Sequence, residues 1–293
     1  MALLGWLVLG LALLWFFRPQ QQAAKGAEKL KTLIRDTHQP RQEYAEVDLG
    51  RFPHLDQRFY ESIRSEAEAL GFVFIGDLEN RTANGLGLMK PTVIRQLTDR
   101  NGITVGAYNY QGIGLASWLM PGMRSTRTID LETEFSDGTY VGTSNAWSAR
   151  HLERPPEIFM TFRTMETGLR ALLDEHRRRL KAHIDQRPDR TVREVLSLDD
   201  AIESNHRMNA LKAAFQAARQ HRLTRDELRG LAKDNWAPGT GQAADDVADV
   251  LEQPTGGSAS TLEPTTTSTV ARNVLLWIAL VVFFVAFYTL TGR

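Results

Sequence analysis

The 293-residue chain contains no cysteine. That single absence removes disulfides, thiolate zinc sites, iron–sulfur clusters and cysteine nucleophiles together, and it suits a compartment in which disulfides do not form. Net charge is also lacking, because 35 Lys plus Arg balance 35 Asp plus Glu. No overall field gathers a polyanion, so no nucleic-acid partner is expected. Neither Gly-x-Ser-x-Gly nor His-Glu-x-x-His occurs, which withdraws the common serine-hydrolase and zinc-protease readings. The run from Gly85 to Thr92 has glycines and Lys90, but not the G-x-x-x-x-G-K-[ST] spacing whose amides cradle phosphate, and Pro91 opposes a helix continuing from the lysine. These patterns imply no cofactor and no metal.

What the chain does have is an uncharged apolar run at each end, Ala2 to Phe17 and Val274 to Leu290. A helix needs about 20 apolar residues to cross a bilayer core of about 30 Å, and shorter runs still span by local thinning and snorkelling. The sequence therefore predicts transmembrane helices over 2–18 and 272–291. Only the Met1 amine precedes the first run, and no small-x-small cleavage site follows Trp15-Phe16-Phe17-Arg18-Pro19, so it reads as a retained anchor. Arg18, Lys25, Lys29, Lys31 and Arg35 follow that run, whereas Arg272 and Arg293 flank the second evenly. The positive-inside bias then places the body in the cytoplasm and both termini outside, at an inner membrane of bacterial type.

Between the spans the organisation reads as a juxtamembrane helix and loop over 20–55, an α+β domain over 56–187, a helical part over 188–236, and a disordered Gly/Ser/Thr/Pro tether over 237–271. Asp56 can cap a helix running to Leu70, with Phe59, Ile63, Ala67 and Leu70 on one face and Gly71 as its stop. Phe72 to Ile75 reads as a strand. Val93 to Leu97 and Ile103 to Tyr110 flank the turn Asp99-Arg100-Asn101-Gly102. Ile129, Leu131, Thr133 and Phe135 alternate with Asp130, Glu132 and Glu134 before Ser136-Asp137-Gly138 turns the chain into Thr139 to Thr143, the pattern of a hairpin with one dry and one wet face. Together these predict an antiparallel meander of about five strands, opened by one helix and closed by another over Arg163 to Ile184. In the helical part, Ser197 can cap Leu198 to Arg222, whose apolar face is Ala201, Met208, Leu211, Phe215 and Ala218. Thr224 to Glu227 spells a capping box for a further helix.

Three groups of residues invite a functional reading. The row Asp130, Glu132 and Glu134 is either a solvated sheet face or a docking surface for a basic partner, flanked by Trp118 and Trp147 as aromatic anchors. His176 sits on the apolar stripe Met165, Leu169, Leu172, His176, Leu180 beside Glu175, as a general base, a ligand or a core histidine. Glu203 and His206 have the Glu-x-x-His spacing of di-iron bundles, which need two such pairs where this chain has one, so a solvated helix face is expected instead. The function these features imply is that of a non-catalytic accessory or scaffold subunit, whose cytoplasmic domain binds a protein partner in a membrane complex. The alternatives are a tethered module sensing a small ligand at its sheet, and an enzyme of unrecognised type centred on His176.

Overall fold

The strand periodicity builds a single sheet. The computed structural model describes residues 31–87, 89–112 and 125–235. Seven strands lie side by side in chain order: β1 (Tyr44–Glu46), β2 (Val73–Asn80), β3 (Val93–Thr98), β4 (Thr104–Tyr110), β5 (Thr126–Glu134), β6 (Tyr140–Ser144) and β7 (Ile158–Phe162). All neighbours are antiparallel except β6 and β7, which are parallel. The class is α+β as expected. The sheet is larger than the expected meander and mixed, because β1 joins one edge and β7 the other. The helices are α1 (31–37), α2 (Gln57–Ala69), α3 (Arg81–Gly85), α4 (Leu169–Gln186), α5 (Leu198–Ala218) and α6 (Arg225–Asn235).

Local chemistry accounts for the boundaries. The Asp56 carboxylate accepts the Phe59 amide and caps α2, and Gly71 leaves it with φ 91°. Ser197 and Asp200 close a reciprocal capping box at α5, and Thr224 does the same with Glu227 at α6. Gly102 turns at φ 103° where an added Cβ would lie 2.1 Å from Val192 Cγ1, so only glycine fits. α4 begins at Leu169 rather than Arg163, because residues just before it form β7. Met165 consequently falls outside the helix and is 45% exposed.

The two faces of the sheet are covered by different helices. α2 and α4 pack on the first face, where Tyr60, Ile63, Val93, Leu97, Val105, Leu131 and Leu172 belong to one continuous apolar core. Each such aliphatic side chain contributes about 1.5–3 kcal/mol by leaving water. A charged side chain is embedded there: Arg95 donates two 2.9 Å bonds to Asp77 and one of 2.7 Å to Glu61. Residues 192–197 and α5 cover the second face. Leu198 lies against Gly76, Thr98 Oγ1 donates to the Val195 carbonyl at 2.7 Å, and the Tyr140 hydroxyl donates to the Ser204 carbonyl. Segments expected to flank the domain thus complete it: 20–55 supplies β1, and 188–236 supplies α5.

Among the described residues no helix is long and apolar enough to cross a membrane. The expected spans over 2–18 and 272–291 and the expected tether over 237–271 lie outside the described residues.

Candidate functional site

The buried face of α5 is polar. Its buried residues are Ala201, Asn205, Met208, Asn209, Lys212 and Gln216, which recur at helical spacing on one side, and all but Ala201 and Met208 carry hydrogen-bonding groups. The apolar stripe expected for this helix does not form a seal: of its members only Ala201 and Met208 are buried, while Leu211 and Phe215 are half-buried and Ala218 is exposed. Buried polar groups are the informative exception in protein interiors, since each must find a partner or carry a desolvation penalty.

Opposite α5, β5 presents Thr126, Thr128, Asp130, Glu132 and Glu134 on its second face, and every one is buried. The expectation of a wet carboxylate row is therefore corrected. Asp130, Glu132 and Glu134 are 0%, 6% and 3% exposed. Alternation placed them correctly on the side away from Leu131, but that side is removed from water, and α5 meets it at Glu134 through Arg207. Glu134 is held by Arg207, through bonds of 2.6 and 2.7 Å, and by Arg193 at 3.3 Å. This bidentate contact raises the Arg207 pKa further above its ordinary value. Asp130, Glu132 and Lys212 also have partners.

Around these carboxylates the sheet is polar as well. Thr128 pairs across the ladder with Tyr108, and Asp130 with Gly106 on one side and Ser144 on the other. Tyr108 and Tyr110 stack at 5.7 Å with their rings 16° apart. One buried atom on each of β5 and α5 finds no hydrogen-bond partner among the described residues: Thr128 Oγ1 and Gln216 Oε1. Both side chains are more than nine-tenths buried.

The other expected site residues are dispersed. His176 is fully buried between two hydroxyls, with Nε2 3.0 Å from Thr133 Oγ1 and Nδ1 3.2 Å from Thr143 Oγ1. Burial first, then Arg179 and Arg177, push its pKa down to about 3, so it is a neutral core histidine with both nitrogens engaged. Glu175 does not join it: that carboxylate bonds Arg163 at 3.0 Å and Arg178, and its pKa stays low despite partial burial, because both guanidiniums hydrogen-bond it. Glu203 and His206 do meet, Oε1 to Nδ1 at 3.6 Å, but His206 Nε2 donates to the Gln42 carbonyl and Glu203 reaches Arg41. Among the described residues no group of three His, Asp or Glu could hold a metal. Trp118 and the Trp147 side chain lie outside the described residues.

Thr128, Asn205, Lys212 and Gln216 were not singled out from sequence. A signal existed in the polar residues at 205, 209, 212 and 216, whose spacing of four, three and four puts them on one helical face. It became meaningful only once that face was seen to be the buried one. Comparison with family models, curated proteins and solved structures finds no match for this chain.

Proposed function

We propose that this chain is a membrane-tethered binding module that holds a small polar ligand between its sheet and α5. One observation carries the reading. The buried face of α5 and the second face of β5 both carry polar residues, and Thr128 Oγ1 on the strand and Gln216 Oε1 on the helix are each buried and without a partner among the described residues. A layer that served only to join helix and sheet would be stronger if apolar, since a half-satisfied polar interior is costlier than a dry one. A ligand that completes the bonds resolves that conflict. The apolar ends, 2–18 and 272–291, supply the tether to an inner membrane, and the basic residues after the first run favour a cytoplasmic body. Hydrogen exchange on the full chain in detergent micelles tests this reading, with and without the dialysable fraction of a cell extract. Slowed exchange confined to β4, β5 and α5 is expected, and unchanged exchange there sinks the reading. Reporters active only in the cytoplasm, fused after residue 150 and at the C-terminus, test the topology; activity at the terminus alone reverses it.

A second reading, that of an accessory subunit docking on a membrane protein complex, draws on β7, an edge strand carrying Phe159 at 40% exposure. A body held at two points stays at high local concentration beside its neighbours, so weak contacts suffice. Recovery of one stoichiometric protein from native membranes, released by Phe159→Asp, would favour that reading.

A further inference from the structure

We infer that residues 31–43 form a strap over α5 that acid releases, with His38 as its trigger. Four contacts lay this stretch of chain along one side of the helix. The Arg41 guanidinium reaches Glu203 at 3.4 Å, and the Gln42 carbonyl accepts from His206 Nε2 at 2.9 Å. Just past the strap, the Tyr44 hydroxyl accepts from Asn209 Nδ2 at 3.0 Å, and within it His38 lies in the field of Lys212. Glu203, His206, Asn209 and Lys212 recur every three residues, so the contacts follow one row of the α5 surface. The strap buries Ile34, Thr37, His38 and Gln42 and leaves Arg35, Arg41 and Glu43 exposed. At its β1 end it is fixed by Asn80, whose side-chain amide donates to Gln42 Oε1.

At His38, docking and charge conflict. Its Nδ1 donates to the Ile34 carbonyl at 2.7 Å, so a second proton would have to enter at Nε2, and that atom is buried. The groups around it are cationic. Lys212 faces His38 from the body of α5, and Arg219 and His221 face it from the turn that ends the helix. His221 in turn lies near Arg35 and Asp36 of the strap. The carboxylates of this corner are engaged, Asp36 with Arg35 at 3.0 Å, and Glu227 and Glu153 with Arg219. Burial is the main cause that pushes the His38 pKa down to about 3; the Ile34 bond opposes it, and Lys212, His221 and Arg219 reinforce it. Once the strap is free, His38 titrates near 6.5. Docking is therefore favoured above 6.5 and loses about a factor of ten per pH unit as pH falls toward 3. His206, at the other end, has no such conflict, because its Nε2–H donates to Gln42 in either charge state and Nδ1 faces Glu203 at 3.6 Å. The strap lies between the apolar run Ala2 to Phe17 and the sheet, so its release gives that connection up to about 40 Å of extended chain.

Hydrogen exchange of the full chain in micelles at pH 7.5 and 4.5, corrected for the intrinsic pH dependence of exchange, reads the release. Protection of amides in 31–43 should fall about a hundredfold between the two, with those of β3 to β5 better protected than the strap at both. His38→Asn keeps a donor for the Ile34 carbonyl but takes up no proton, and should hold strap protection at pH 4.5 within about threefold of its value at pH 7.5. An undiminished loss in that variant removes His38 as the trigger and overturns the proposal. Strap and sheet falling to one common protection at pH 4.5 would mean that the whole domain unfolds, and overturns it as well. A second measurement keeps every histidine in place. Because the chain has no cysteine, spin labels at Gln39→Cys and Ala210→Cys, both exposed positions, report one distance between strap and α5. A narrow distance at pH 7.5 that spreads to longer values at pH 4.5 supports the release, and the same narrow distance at both pH values overturns it.

Discussion

The two faces of β5 meet different interiors. On one, Ile129 and Leu131 enter the apolar core beneath α2 and α4; on the other lie Thr128, Asp130, Glu132 and Glu134, the last bonded to Arg207 of α5, and both sets are removed from water. On the first face the holding force is non-directional burial, which tolerates small displacements and sums over many side chains. The second face has apolar members as well, Leu78 and Ile94 in the ladder beside Tyr108 and a small cluster of Tyr140, Ile158 and Met208 at the β6–β7 end, and adds hydrogen bonds and ion pairs that demand geometry. The difference teaches how one strand serves two interiors: the α2/α4 layer holds the sheet by apolar burial, and the α5 layer holds Glu134 by directional bonds.

The largest expected effect lies in the apolar layer, at the buried Arg95–Asp77 pair. Arg95 has a side chain 4% exposed and rests between Asp77 and Glu61, with the Tyr60 and Phe74 rings beside it. Asp77→Ala removes the bidentate, buried partner and leaves Arg95, which cannot be neutralised, with Glu61 alone, at a cost of about 3 kcal/mol. Glu134→Ala in the other layer should cost less, because Arg207 and Arg193 are each nearly half exposed and can turn to water. Urea unfolding of the two variants would break the comparison if the order were reversed.

Next comes the opening of the layers themselves. Amides of α5 should exchange through a partial opening about 2 kcal/mol below the global unfolding free energy, whereas those of β3 to β5 should require unfolding of the whole. Exchange of α4 and α5 at one common rate would show that the polar layer is no weaker than the apolar one.

The pH response is smaller per unit and has one contributor from each side. His176 lies in the α4 layer. His38, also pushed down to about 3 mainly by burial, lies close enough to Lys212 of α5 to feel its charge. In the unfolded chain both titrate near 6.5. Below that value the unfolded state binds protons that the folded state refuses until about pH 3, so stability is present above 6.5 and falls as pH falls, by about 1.4 kcal/mol per unit for each histidine. His176→Gln should remove about half of that slope in denaturant titrations between pH 6 and 4; an unchanged slope would mean that His176 does not stay neutral.

Much of the fold was legible in the sequence, and the missing part has one cause. The Asp56 cap, the Asp-Gly hairpin and the two faces of β5 are set by residues within a few positions of one another, and the structure has them. What covers the second face is decided by α5, whose Arg207 is 73 residues from the Glu134 it holds. Period-2 alternation reports that two faces differ, not whether the polar one meets water or another polar surface. The row Asp130, Glu132 and Glu134 therefore read as solvated, and the polar positions of α5 read as its outside. Among the site residues His176 was placed rightly on the apolar stripe, but pattern alone leaves open whether such a histidine works or merely packs. In the structure both of its ring nitrogens lie against threonine hydroxyls in the core.

The smallest expected effect is the sharpest test of the comparison, because it makes one substitution on the two sides of a single strand. Thr133 and Thr128 are both on β5 and both almost completely buried. Thr133 Oγ1 is bonded to His176, so Thr133→Val leaves an imidazole nitrogen in the core without a partner and should cost about 1–2 kcal/mol. Thr128 Oγ1 has no bond to lose. Valine there exchanges an unsatisfied hydroxyl for a methyl of similar volume, and the unliganded chain should be unchanged or more stable by up to about 1 kcal/mol. Opposite signs for one chemical change, measured by thermal melts of the full chain, would confirm that the two faces obey different rules. A loss at Thr128 equal to that at Thr133 would mean that the hydroxyl is already satisfied within the unliganded protein, and the layer beneath α5 would then be a structural network rather than a binding site.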